Sequence, residues 1–278
     1  MVGTVTWVFG GGGVGGIAWE IGVLAGLADE GADVGSNGPL LGTSAGSTVA
    51  AQLVSGVPIE DLYERQRAGV PYEVAKRPSL RMFWSLASHG LRARSAPEFG
   101  RRIGHASVAF GQDEAQIRRR IIEARLPRDD WGNADLHIVV VDADSGDYRV
   151  LTRDDGVPLV DAVMASCAVP LVWPVVTIGG HQYMDGGMRS PVNLDLAPGV
   201  GPVVALVATS AWHRWARLSD QRRALGVERP VAVLTMSTEV RRAQGRNPLN
   251  TDTVPAVALA GREQGRLEAA RLQEILAA

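Results

Sequence analysis

Two glycine-bracketed turns near the start of this 278-residue chain constrain its fold more than any other feature: Gly11-Gly12-Gly13-Val14-Gly15-Gly16 and Gly42-Thr43-Ser44-Ala45-Gly46. Each stands between an apolar run of strand length and a helical run. Thr4-Val5-Thr6-Trp7-Val8-Phe9 is β-branched and aromatic, and the Ile17, Ile21, Leu24 and Ala28 that follow share one helix face. Leu40 and Leu41 end a second strand, and Ala45 to Leu53 opens a helix of small residues. Strand, glycine turn and helix, twice in 50 residues, predict an α/β chain.

The second turn has the form G-x-S-x-G. A serine hydroxyl becomes a useful nucleophile when its oxygen is exposed, close to a base, and beside N–H groups that receive the charge of a tetrahedral intermediate. A tight strand-to-helix turn at Ser44, relieved by Gly42 and Gly46, supplies that setting. In a chain of 33 glycines the pentapeptide also fits an ordinary helix-capping serine. The first turn brings backbone N–H groups within reach of an anion, because no side chains block the approach. Gly11, Gly13 and Gly16 also match G-x-G-x-x-G, but a dinucleotide fold wants a second strand ending in an acidic residue. Here Gly31 to Gly38 is loop-like and leads to the serine turn instead.

The five histidines, His89, His105, His137, His181 and His213, are scattered, and none stands in a setting that marks a catalytic base. Asp185, in Tyr183-Met184-Asp185-Gly186-Gly187-Met188, ends a short strand and precedes two glycines that let the backbone turn. An aspartate there is ordinarily a turn former. The apolar, proline-fixed segment Ala165 to Val175 gives this one a wall that excludes water, and desolvation strengthens a carboxylate as a base.

The order G-G-G-x-x-G, G-T-S-A-G-S, A-S-C-A-x-P and D-G-G resembles the patatin-like phospholipase family over about the first 200 residues. The resemblance implies a three-layer α/β/α fold with a central, mostly parallel sheet. It also implies a Ser–Asp dyad and hydrolysis of fatty-acyl esters without a metal or organic cofactor. On this correspondence Ser44 is the nucleophile and Asp185 the proton acceptor. The backbone of Gly11, Gly12, Gly13 and Val14 supplies the oxyanion hole, with Gly16, Gly42, Gly46, Gly186 and Gly187 as supporting motif residues. Most of the family carries Arg or Lys where this chain has Gly15, so a cation near the oxyanion loop is missing. Arg189 is one replacement; a solvated Arg189 pairing with Asp195 is the other reading of it.

Composition sets bounds. At 278 residues the chain suits a single unit with a core large enough to need no staples. A net charge of −2 gives no basic excess for nucleic acid. The lone cysteine, Cys167, reads as a buried, inert thiol and suits a cytoplasmic protein, peripheral to a membrane if it meets one. The N-terminus lacks a basic leader and runs straight into the first glycine turn. From about 58 to 130 the pattern is helical and charged, as a cap or insertion over the sheet. Within it, Leu80 to Leu86, with Trp84 and with Arg77, Arg92 and Arg94 nearby, fits a lipid interface, an acyl-pocket wall or cap packing. The run Arg118-Arg119-Arg120 reads as a solvated helix face. Asp142 to Asp147 reads as a hairpin turn rather than a calcium loop, since Arg153 occupies the twelfth position. Continuous apolar runs at 136–141, 203–208 and 231–234 read as strands covered on both faces, and 256–276 as a packing helix. Three function classes follow: a Ser–Asp lipid acyl hydrolase, a Ser–His–Asp esterase using a histidine such as His213, and a non-catalytic nucleotide or lipid binder.

Overall fold

A computed structural model of the chain describes residues 4–32, 38–74, 80–108, 110–209, 215–226 and 228–277, leaving aside the side chains of 80–83, 112 and 277. The elements run β1 (Thr6–Phe9), α1 (Gly13–Asp29), β2 (Leu40–Thr43), α2 (Ala45–Val54), α3 (Ile59–Arg67), α4 (Leu80–Arg92), α5 (Ala96–Ser107) and α6 (Ala115–Arg125). They continue with β3 (Leu136–Asp142), β4 (Tyr148–Leu151), α7 (Leu159–Ser166), β5 (Val176–Ile178), β6 (His181–Asp185), β7 (Val203–Val207), α8 (Leu218–Ala224), β8 (Val231–Thr235), α9 (Thr238–Gln244) and α10 (Val254–Ala277).

The strands form one sheet in the order β5-β6-β3-β2-β1-β7-β8, with β4 against β3. The run from β3 through β2, β1 and β7 to β8 is parallel, and β4, β5 and β6 pair antiparallel beyond it. Successive strand residues enter opposite cores, as a two-residue period requires. Trp7, Phe9, Leu40, Ile138, Val204 and Leu234 pack on one face under α1, α2 and α7. Val8, Leu41, Val139, Ala205 and Val231 pack on the other, against Leu194 and the partly buried Leu218 and Leu225. Helix α5 covers the same side near β3 through Phe99 and Ile103. The architecture is the three-layer α/β/α sandwich expected from the sequence. Within the 58–130 segment, α3 places Leu62 and Tyr63 in the first core, and Ile122 of α6 joins them.

Helix α1 is buried on every side from Val14 to Leu27, the mark of a helix enclosed by its neighbours. It meets α10 along a seam of glycines. A Cβ on Gly22 would lie 2.4 Å from the Ala258 carbonyl oxygen, one on Gly26 2.0 Å from that of Arg262, and one on Gly265 2.2 Å from that of Val23. The two backbones therefore touch, and the Trp19 indole donates to Gln264 Oε1 across the seam at 2.9 Å. Because α1 begins at the first glycine turn, α10 fixes the turn's direction.

Gly26→Ala tests this seam. Helix propensity alone would stabilise the variant by up to about 1 kcal/mol. Overpacking against a carbonyl costs about 1–3 kcal/mol or more, so urea unfolding is expected to show net destabilisation. A gain in stability would mean that the helices do not meet as described.

Candidate active site

Three chain segments converge at the C-terminal ends of β1, β2 and β6. Ser44 sits between β2 and α2 with φ 53° and ψ −118°, a left-handed backbone unusual for a residue with a Cβ. The turn is this tight because its flanks have no room for side chains. A Cβ on Gly46 would stand 2.1 Å from the Phe9 carbonyl oxygen, and one on Gly42 2.5 Å from the Ser47 Cα. Hydrogen bonds hold the strained residue on both sides. The Ser44 N–H donates to Ser166 Oγ at 2.9 Å, and that hydroxyl donates to the Val139 carbonyl at 2.7 Å. The Ser44 carbonyl accepts from Ser47 Oγ at 2.7 Å and from the Cys167 thiol at 3.1 Å.

The first glycine turn lies beside this one, and the Gly46 N–H donates to the Gly10 carbonyl at 3.0 Å. Its own N–H groups divide into two sets. Gly11 donates to the Pro191 carbonyl at 2.7 Å, Gly15 to that of Pro248 at 3.0 Å, and Gly16 to that of Gly12 at 2.9 Å. Among the described residues no acceptor faces the N–H of Gly12, Gly13 or Val14. These three open α1, a 17-residue helix, whose N-terminus carries partial positive charge. Gly11, expected beside them as an oxyanion donor, already has its N–H engaged.

Asp185 ends β6. Its Oδ2 accepts from Ser44 Oγ at 2.7 Å and its Oδ1 from the Gly187 N–H at 2.7 Å, across the turn that Gly186 and Gly187 make. The carboxylate is 2% exposed. Burial pushes its pKa from 3.8 up to about 6, against the opposing pull of the Ser44 and Gly187 hydrogen bonds and the Arg118 charge. Asn193, itself at φ 51°, ties this loop to the serine turn. Its amide donates to Thr43 Oγ1 at 3.1 Å and to the Ser190 carbonyl at 2.7 Å. Sequence reasoning gives Ser166 and Asn193 no role, though Ser166 stands in the A-S-C-A motif and Asn193 in the Arg189 to Asp195 stretch that follows the D-G-G turn.

A cavity of about 40 Å³ opens at Ser44, lined among others by Gly13, Val14, Arg118, Cys167 and Trp173. Cys167 is buried, as expected. Arg118 departs from the solvated face expected of the 118–120 run: it is 4% exposed, while Arg119 pairs with Asp161 and Arg120 is exposed. Arg189 is bound by both oxygens of Asp195, at 3.0 and 2.5 Å, and by Asn193 at 2.8 Å. It is therefore no replacement for the cation missing at Gly15. Among the described residues no histidine lines the cavity. His105, His137 and His181 stand beside Asp144, Asp135 and Asp142, and His213 and Arg77 lie outside the described residues. Asp142 Oδ1 accepts from the N–H groups of Asp144 and Ser145, closing the hairpin turn before β4. Trp84 on α4 is 74% exposed. No described helix is long and apolar enough to cross a membrane.

A serine hydroxyl donating to a desolvated carboxylate, next to unengaged N–H groups at a helix N-terminus, has the parts that acyl transfer requires. Residues 7–198 match the family described as patatin-like phospholipase. Among solved structures the chain is similar to VipD from Legionella pneumophila, at 13% identity and a TM-score of 0.46, over 96% of this chain and 66% of that one. It is also similar to the type III effector protein ExoU, at 14% identity and a TM-score of 0.41, over 97% of this chain and 53% of that one. The chain thus spans less than two thirds of the length of either structure. No curated protein matches it by sequence.

The raised pKa of Asp185 makes a stability prediction. Between about pH 4 and pH 6 the folded protein binds a proton at Asp185 that the unfolded chain has released, so this group's contribution to stability falls as pH rises through that window. Across that window the loss amounts to about 3 kcal/mol. Asp185→Asn is expected to remove that slope and to be more stable than the wild type at pH 7 by about 1–3 kcal/mol. Parallel pH–stability curves for the two proteins would refute the assignment.

Proposed function

The chain belongs to the patatin-like phospholipase family, and from that premise we propose that it is a serine lipid acyl hydrolase working through Ser44 and Asp185. Membership supports lipid acyl hydrolysis; the residue roles are our reading. The observation that carries it is the 2.7 Å hydrogen bond from Ser44 Oγ to a buried Asp185.

In this scheme Asp185 accepts the Ser44 proton as Oγ attacks the ester carbonyl carbon. The N–H groups of Gly12, Gly13 and Val14 hold the oxyanion, with Gly11 left to anchor the loop through Pro191. Collapse of the tetrahedral intermediate expels the alcohol, which takes the proton from Asp185, and leaves an acyl-Ser44. A water then gives its proton to Asp185 and attacks the acyl carbon, and collapse of the second tetrahedral intermediate frees the fatty acid as Asp185 returns the proton to Ser44 Oγ. These steps need proton transfer and electrostatic stabilisation alone, so the scheme calls for no cofactor. Residues 1–278 act as one hydrolase unit, with helices between about 58 and 130 as its cap. Contact with a lipid surface falls to α4, where Trp84 and Leu91 are exposed. The cytoplasmic setting suggested by the lone cysteine is part of the same reading.

The test is hydrolysis of a p-nitrophenyl acyl ester series from short to long chains. Ser44→Ala is expected to abolish turnover and Asp185→Asn to lower kcat by about 10²–10⁴-fold. His213→Ala is expected to retain activity; its loss, with Asp185→Asn active, would replace the dyad by a histidine mechanism. Because the base must be ionised, kcat/KM is expected to rise with pH below about 6 and to level off above it. A flat profile down to pH 4 would rule out Asp185 as the base.

A further inference from the structure

Helix α6 presents a charged group that the hydrolytic scheme does not use. Arg118 lines the Ser44 cavity and is 4% exposed. Its neighbours on the helix are neutralised: Arg119 pairs with Asp161, and the buried Arg125 pairs with Glu73. No carboxylate is paired with Arg118 among the described residues. Its Nη2 makes one long contact to the Cys167 carbonyl, at 3.4 Å. Its buried Nε has no acceptor. Its Cζ lies over the Trp173 ring, 4.4 Å from the centroid, a contact that uses none of its N–H donors. Burial and the nearby Arg125 charge lower its pKa to about 10, so it is a cation at neutral pH.

A buried cation with no carboxylate in direct contact is costly to hold. The carboxylates close enough to act on it are already engaged, Glu73 by Arg125 and Asp185 by Ser44 and Gly187. A planar fork of N–H donors matches the oxygens of a phosphate in two-point contact. The place where the family's usual cation would stand is filled here by Gln244, whose Nε2 is 2.5 Å from a Cβ built on Gly15.

We propose that Arg118 is the substrate-anion residue of this site, pairing with a phosphate carried next to the scissile ester, so that anionic acyl lipids are the preferred substrate class. The proposal rests on the hydrolase reading for its substrate and on the buried guanidinium for its anion. Glu73, Arg125 and Asp185 shape the local field, and Arg118 supplies the unshared donors.

The test compares monomeric dihexanoyl phosphatidic acid with uncharged dihexanoylglycerol, using the wild type, Arg118→Gln and Arg118→Lys. Arg118→Gln is expected to raise KM for the phosphatidic acid by roughly tenfold or more. The KM ratio between the two lipids should shift by roughly tenfold against the phosphatidic acid, and Arg118→Lys should restore part of that shift. Equal losses on both lipids, or an unchanged KM for the phosphatidic acid, would overturn the proposal. So would an upward shift of the acid limb of the pH profile as the main effect, since that would make Arg118 a tuner of Asp185. A second arm measures calorimetric binding of the phosphatidic acid to Ser44→Ala, with and without Arg118→Gln. If the wild type hydrolyses neither lipid, the hydrolase reading fails and this arm still decides the anion site: tenfold weaker binding with Arg118→Gln supports it, and equal binding overturns it. Inorganic phosphate binding as tightly as the lipid would mark a free-phosphate site and overturn the substrate assignment.

Discussion

The site depends on keeping one residue, Ser44, in a backbone conformation that it would not adopt alone. A non-glycine residue in such a region costs about 1–3 kcal/mol. The surrounding structure offsets this by satisfying both peptide groups: Ser166 takes the N–H, and Ser47 and Cys167 share the carbonyl. Gly46 seats the following helix directly on the end of β1. The strain points Oγ away from the turn and toward Asp185. Relaxing φ would swing the hydroxyl away and leave the Asp185 carboxylate buried with a single hydrogen bond.

That carboxylate is the second constraint. Three ties fix its position relative to the serine: the Gly11 N–H donates to the Pro191 carbonyl, the Gly46 N–H to that of Gly10, and the Asn193 side-chain amide to Thr43 Oγ1. Each joins two of the three converging segments, so no segment moves without the others. Within the frame the electrostatics oppose one another. Burial drives Asp185 toward the neutral form, while Arg118 and the Ser44 hydroxyl draw it back toward the anion. The balance leaves the Asp185 pKa raised to about 6, which suits the base role proposed for it.

What was legible in the sequence was local. Glycines flanking Ser44, and an aspartate followed by two glycines, declare a backbone that must turn sharply, and runs such as Val203 to Val207 declare a strand buried on both faces. The serine elbow, the aspartate turn and the layered sheet follow from residues within a few positions of each other. Illegible were features created by chain segments far apart. Gly22 and Gly26 of α1 have a reason only once Gly261 and Gly265 lie against them. Arg118 read as surface because charge runs usually are. Its place shows only in the helical spacing Arg118, Ile122, Arg125, which puts two arginines on the face that carries the isoleucine into the core. A charged residue on an apolar stripe is the one trace that the sequence held of a cation in the cavity.

Gly15 shows how a departure in one motif is settled elsewhere in the chain. Gln244 ends α9, and the segment after it carries Pro248 and Leu249 up to the first glycine turn. Pro248 accepts the Gly15 N–H, Leu249 closes over Gly13, and Gln244 fills the volume that a side chain at position 15 would need. All three lie beyond the 7–198 region that matches the family. A side chain at position 15 would have to displace the Gln244 amide from the place it takes in this buttress. With the buttress in place, the first glycine turn is supported by Pro248 and Leu249 as well as by β1, and the arginines that line the cavity come from α6.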